Sequence, residues 1–344
     1  LGLSKDGKTL YVANGMDNAL AVVELGRKAG GNQSEPDSEV EGFIPTQAYP
    51  GAVVETADTT VFVANIEGES AKIPNQDATS GKISYNSHRQ MASVSVIPVP
   101  DDKKLKEYTK TVEQSNQLFR LALLEKLPRK NIDPACVPER IGEPSVFKHV
   151  LYIIKENRTY DQILGDVKKG DGDSTLTIFG RQITPNTHAL VDQYLLLDNF
   201  YVSGKCSAEG HQWTDASIVT DYVEKDVRAW IRSYPHVQED ALVYTPTGFL
   251  WDNAVKHGKS VRIYGEASTP EYDEKHTWTS IYQTFLKGEK FEFINRTTIK
   301  PVKAILSPTY PSYDDHRIPD ALRAKAFIEE LKKYEAMEGD QLPE

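Results

Sequence analysis

The hydrophobic pattern changes period near residue 100, and that change most constrains what this chain can fold into. Before it, apolar and polar residues alternate in short runs that follow turn residues. Asp6-Gly7-Lys8 leads into Thr9-Leu10-Tyr11-Val12-Ala13-Asn14, and Asp58-Thr59-Thr60 leads into Val61-Phe62-Val63-Ala64-Asn65. A period of two marks strands with one buried face. Asn18–Glu24, after a Met-Asp-Asn turn, and Ala92–Val99 read as further strands, with the Gly/Ser/Asn-rich spans 26–48 and 66–91 as loops between them. After residue 100 the spacing turns helical: Leu105, Tyr108, Val112, Phe119 and Leu123 follow a Pro100-Asp101-Asp102 start, and Pro128 with Asn131–Pro134 breaks the pattern.

From Lys148 the pattern is α/β. Val150–Ile154 is a continuous apolar run of the kind a strand buried on both faces shows, and Tyr194–Leu197 is a second. Phe249–His257 reads as a helix closed by Gly258, Ser260–Tyr264 as a strand, and Asp320–Met337 as a final helix. Such alternation implies parallel strands joined by crossover helices. Three regions are therefore expected: strand repeats over 1–100, a helical linker and crossing segment over 101–147, and an α/β domain over 148–344.

Composition narrows the function. With 344 residues, 39% hydrophobic and 26% charged, the chain is long enough for about two globular domains. A net charge of −10 argues against binding nucleic acid or anionic lipid through overall charge. No run approaches the ~18 apolar residues of a membrane helix. Two cysteines, Cys136 and Cys206, make neither a disulfide framework nor a Cys-rich metal site. The chain begins at Leu1 with no signal or transit segment, as the interior of a longer product would.

Two constellations carry chemistry. In an open parallel sheet, ligands bind beyond the carboxyl ends of the strands, and the first apolar run ends in Lys155-Glu156-Asn157-Arg158. Glu156 and Asn157 can each offer an oxygen to a hard divalent cation, although such a pair also serves to cap a turn. The second is Ser203-Gly-Lys-Cys-Ser-Ala-Glu-Gly-His-Gln-Trp213, opening a helix with Trp213, Ala216, Val219 and Val223 on one face. A hydroxyl at a helix N-terminus faces unpaired N–H groups that favour an alkoxide or a bound phosphate. Ser207 fits the nucleophile best; the alternatives are an ordinary N-cap role for it, or Ser203. Cys206 lacks the partners of a thiol enzyme. His211 is placed to hold a phosphate oxygen or protonate a leaving group. Asp166, Asp171 and Asp173 fall short of a complete calcium loop and read as an exposed turn, and Asp314-Asp315-His316 reads as a solvated loop. Asn157-Arg-Thr and Asn295-Arg-Thr fit the glycosylation pattern.

The Tyr-Val-Ala-Asn and Phe-Val-Ala-Asn copies resemble the YVTN-type β-propeller family. The stretch Lys148-His-Val-Leu-Tyr-Ile-Ile-Lys-Glu-Asn-Arg-Thr-Tyr-Asp-Gln162, then Thr184–His188, Leu197–Ser203 and Ser207–Trp213, resembles in order the phosphoesterase family of bacterial phospholipase C and AcpA-type acid phosphatases, within the alkaline phosphatase superfamily. The resemblance implies a partial β-propeller followed by an alkaline-phosphatase-like α/β sandwich with a mostly parallel sheet. It implies hydrolysis of phosphate mono- or diesters, lipid or small molecule, through a phosphoseryl intermediate. By position, Glu156, Asn157 and Ser207 would hold a divalent metal (calcium, magnesium, manganese or zinc), Ser207 would be phosphorylated, and His188 and His211 would contact the phosphate. It further implies a periplasmic or secreted protein, and additional Asp/His ligands beyond Glu344. A propeller that binds a surface ligand beside a non-catalytic α/β part is the competing expectation. A sulfatase is disfavoured because Cys206 lacks the Cys-x-Pro-x-Arg context.

Overall fold

The computed structural model describes residues 1–26, 38–68, 75–76, 83–84, 92–200, 202–229, 238, 240–313 and 315–344. They form two compact units, Leu1–Val146 and Phe147–Glu344.

In the first unit, β1 (Gly2–Leu3), β2 (Thr9–Asn14), β3 (Ala19–Glu24) and β4 (Glu39–Pro45) make an antiparallel sheet in sequential order. Strands β5 (Ala48–Glu55) and β6 (Thr60–Gly68) belong to a second antiparallel sheet, β7 (Asn75–Gln76) pairs with β8 (Ile83–Ser84), and β9 (Ser93–Pro98) joins the second sheet beside β6. Tyr11, Leu20, Ile44, Val61 and Val63 form one core across both sheets. Helix α1 (Asp102–Ser115) adds Leu105 and Tyr108 to that core, and its Thr109 hydroxyl accepts from the Phe43 N–H of β4 at 2.9 Å. The Asp101 side chain caps α1 by accepting from the Lys104 N–H at 2.7 Å. A left-handed Gln117 (φ 52°) separates α1 from α2 (Leu118–Leu124).

The expected propeller is not present among the described residues. These are two small antiparallel sheets, and no blades close a ring. The two sequence copies also sit in opposite phase. Tyr11 is buried while its counterpart Phe62 is only half-buried, whereas Val63 is buried and its counterpart Val12 is not. With a side-chain period of two, a one-residue slip exchanges core and solvent faces, so the copies are not equivalent blade strands. Strand β4 also occupies part of the span 26–48 expected as loop; residues 27–37, 69–74, 77–82 and 85–91 lie outside the described residues.

The second unit runs α3 (Tyr160–Leu164), α4 (Pro185–Gln193), α5 (Ser207–Ala216), α6 (Asp221–Ala229), α7 (Leu250–Lys256), β10 (Thr269–Glu271), α8 (Trp278–Leu286), β11 (Ile294–Arg296), α9 (Lys300–Ile305) and α10 (Asp320–Glu335). Phe249, Trp251, Ile263, Ile299 and Val302 form one of its cores, and Val219, Val223, Val227 and Val243 another. The expected α7 and α10 helices form, and Gly258, at φ +74°, supplies the left-handed residue beyond the α7 terminus.

The expected mostly parallel sheet does not form among the described residues. The strands of this unit are the antiparallel pair β10–β11, and Ser260–Tyr264 contributes only an isolated parallel bridge from Ile263 to Leu306. Val150–Ile154 and Tyr194–Leu197 are not strands. Leu151 is 63% exposed and Leu195 84%. A strand buried on both faces needs neighbours at both edges and layers above and below, and an apolar run specifies none of these. Among the described residues, no helix is long and apolar enough to cross a membrane.

Candidate functional site

The site is built on the first two turns of α5. Cys206 is the N-cap, so Ser207 is the first helical residue and does not serve as the cap. Its hydroxyl instead donates to the Glu156 carboxylate, 51 positions earlier in the chain. The loop into α5 is held by the buried Glu209, which accepts from the Lys205 N–H at 2.6 Å. Gly204 is required there, because a Cβ would lie 2.6 Å from the Gly210 amide nitrogen.

One and two helical turns further on lie His211 and Asp215. Positions i, i+4 and i+8 share a face, so Ser207, His211 and Asp215 form one stripe. The His211 Nε2 is 3.3 Å from Glu156 Oε2, and its Nδ1 is 3.1 Å from Glu266 Oε1. Tyr313 stacks on the imidazole, with centroids 5.3 Å apart and planes inclined by 16°. The ligand atoms of His211, Asp215 and Glu266 all lie within 4.8 Å of one another.

Glu266 is positioned by a tight loop. Gly265 has φ +91°, and a Cβ there would meet the Tyr313 amide nitrogen at 3.2 Å. The Ser312 hydroxyl bonds the Gly265 carbonyl at 2.8 Å and also the Ser268 carbonyl. The loop that carries Tyr313 thus sets the position of Glu266 as well.

Of the residues expected from sequence, the fold brings Glu156, Ser207 and His211 together. Asn157 is exposed; its carbonyl accepts from Arg158 Nη1 at 2.7 Å, and its side chain bonds neither Ser207 nor His211 among the described residues. His188 is fully buried elsewhere, with Nε2 2.7 Å from Asp166 Oδ1 and Nδ1 2.8 Å from the Thr184 carbonyl. Both ring nitrogens are committed, which leaves none for a phosphate. That contact also holds the Asp166 carboxyl below its usual range. Asp315 is not solvated: it pairs with Arg317 at 2.7 Å and accepts from the Tyr272 hydroxyl at 2.6 Å, which outweighs burial and brings its carboxyl down to about 2. Asp314 lies outside the described residues. The Asn295 amide donates to the Ser307 and Tyr310 carbonyls at 3.1 and 2.6 Å.

Asp215 and Glu266 were not singled out by sequence. The four-residue step from His211 to Asp215 was the available signal for the first. Nothing local marks Glu266.

The electrostatics follow from burial and like charge. Burial, then the facing Glu266 carboxylate, push the Asp215 carboxyl up to about 8. Burial alone would lower His211, but Glu266 and then Glu156 overcome it and raise the imidazole to about 9. The ordinary values are ~6.5 for His and ~3.9 for Asp. Both groups therefore bind protons more tightly in the folded state. The His211 contribution to stability is complete below ~6.5 and lost as pH rises through 9, and the Asp215 contribution declines from ~4 to 8. Melting temperature should fall between pH 6.5 and 9, by roughly 5 °C or more. Asp215→Asn should flatten the curve in thermal melts across that range, and an equal slope in both proteins would contradict this assignment.

Compared with protein-family models, with curated proteins and with solved structures, the chain matches none.

Proposed function

We propose that this protein hydrolyses phosphate esters with Ser207 as the nucleophile. The observation that carries the reading is the Ser207 hydroxyl donating to Glu156 from the first turn of α5. A carboxylate hydrogen-bonded to a hydroxyl is a base in position to take its proton. The N-terminal turn adds the positive end of the helix dipole, which favours phosphate oxygens. The ordered motifs around Glu156 and Ser207 that resemble the phosphoesterase family supply the reaction class.

In the first step, Ser207 Oγ attacks phosphorus, the Oγ–P bond forms and the P–O bond to the leaving alcohol breaks. Glu156 takes the serine proton. His211, kept protonated near neutral pH by Glu266 and Glu156, gives a proton to the departing oxygen. Water then forms the new P–O bond as Oγ–P breaks: the now neutral His211 takes one water proton, the other stays on the released phosphate, and Glu156 returns its proton to Ser207 Oγ, leaving Glu156 ionised and His211 protonated as at the start. The half-exposed Glu156 side chain, 34% accessible, leaves the site open to substrate.

Two carboxylates, Glu156 and Glu266, flank the one imidazole beside the phosphate-binding locus, so an anionic ester needs added positive charge. Glu156 and Ser207 present adjoining oxygens that suit a hard divalent cation; Asn157 does not join them. Such a cation, when bound, lowers the hydroxyl pKa and screens the phosphate charge.

The test is turnover of p-nitrophenyl phosphate and bis-p-nitrophenyl phosphate with and without divalent cations, with acid quench and mass spectrometry of the Ser207 peptide. A cation-dependent rate with an added phosphoryl mass on Ser207 is expected. Absence of turnover with every cation would overturn the reading in favour of a non-catalytic binding protein.

A further inference from the structure

We propose that His211, Asp215 and Glu266 bind one divalent transition ion of the zinc type. The three ligand atoms come from two separate segments, α5 and the Gly265–Ala267 loop, and already lie within 4.8 Å of one another. Zinc–nitrogen and zinc–oxygen bonds of ~2.0–2.2 Å place tetrahedral ligands ~3–4 Å apart, so small side-chain rotations suffice.

Two observations beyond the clustering point to a ligand. Asp215 is only 6% exposed, and among the described residues it takes no hydrogen bond from any N–H donor; it faces Glu266, another carboxylate. The His211 Nδ1 is buried without a hydrogen-bond partner, because its approach to Glu266 at 3.1 Å lacks hydrogen-bond geometry. A buried ring nitrogen without a hydrogen-bond partner and two facing carboxyl groups, with no Lys or Arg ion-paired to them among the described residues, are the arrangement a dication satisfies by displacing the protons these groups hold.

One imidazole and two carboxylates form a mixed nitrogen–oxygen donor set. Zinc, cobalt and their neighbours accept such sets, whereas magnesium and calcium favour all-oxygen ligands. With the ion on Nδ1, His211 would be a neutral imidazole whose Nε2 faces Glu156, so the acid role proposed for its protonated form belongs to the protein without this ion. The proposal does not rest on phosphate hydrolysis, since the donors are complete without Ser207.

The test is equilibrium dialysis and calorimetry of the full chain with Zn2+, and visible absorption with Co2+. The wild type should bind one equivalent that survives Ser207→Ala, with Co2+ bands of low-symmetry coordination. Asp215→Asn and Glu266→Gln should each weaken that equivalent at least about tenfold, with folding checked by circular dichroism. Unchanged Zn2+ affinity in both variants, or a wild type that binds no Zn2+ at 100-fold molar excess, would overturn the proposal. Retained Zn2+ binding without esterase activity would leave it standing and count only against the hydrolase reading.

Discussion

Ser207→Ala should abolish phosphate-ester turnover, lowering kcat by at least about 10³-fold while leaving the protein folded. Loss of a covalent nucleophile removes the bond-forming atom itself, and such losses reach ~10⁶-fold in enzymes whose catalytic groups act as a unit. The side chain is half-buried at the start of α5, and its hydroxyl donates to Glu156. Removing it costs little packing. Glu156→Gln should keep the shape but remove the base, with a loss of ~10²–10⁴. Single-turnover kinetics on both variants check the pair. A Ser207→Ala protein within tenfold of the wild-type rate would transfer the nucleophile elsewhere, Ser203 being the next hydroxyl on that loop.

The largest stability effect is expected at Arg323. On α10 and only 7% exposed, its guanidinium donates to the carbonyls of Ile318 at 2.7 Å, Ser312 at 2.8 Å, Asp315 at 2.9 Å and Pro311 at 3.3 Å, and pairs with Asp320 at 3.1 Å. A planar fork with five donors can satisfy several carbonyls of one loop at once; a lysine cannot. Arg323→Met would leave buried carbonyls without donors, at about 1–3 kcal/mol for a fully orphaned group. A net loss of about 3–5 kcal/mol is expected, read from urea unfolding. The same loop carries Ser312, which holds Glu266's neighbours, and Tyr313, which stacks on His211. Any residual folded Arg323→Met should therefore also lose activity. A change below about 1 kcal/mol would show that the loop is held by other contacts.

Local signals in the chain were legible where one element's own spacing suffices. The Asp101 cap, the Gly258 stop, the final helix and the strand alternation before residue 100 all appear where period and capping chemistry place them. Helix α5 starts at Ser207, and Glu156 meets Ser207 and His211, residues drawn from two motifs far apart in the chain. What failed were the larger assemblies inferred from these elements, the propeller and the parallel sheet. Val150–Ile154 and Tyr194–Leu197 have the composition of buried strands, but burial is a property of neighbours, and theirs are missing among the described residues. The repeated Val-Ala-Asn words lie in opposite phase, because register is set by the partner strand and the core it faces.

The amino-acid order by itself determined the helix face that carries Ser207, His211 and Asp215, since a four-residue step dictates a shared side through helical geometry alone. Only the tertiary structure decided that Glu266 completes the cluster and that His188 does not take part. Glu266 arrives through a left-handed glycine and a serine latch far along the chain, and His188 is consumed by Asp166 and Thr184. Such contacts depend on chain closure over long separations, which no local pattern of side chains encodes.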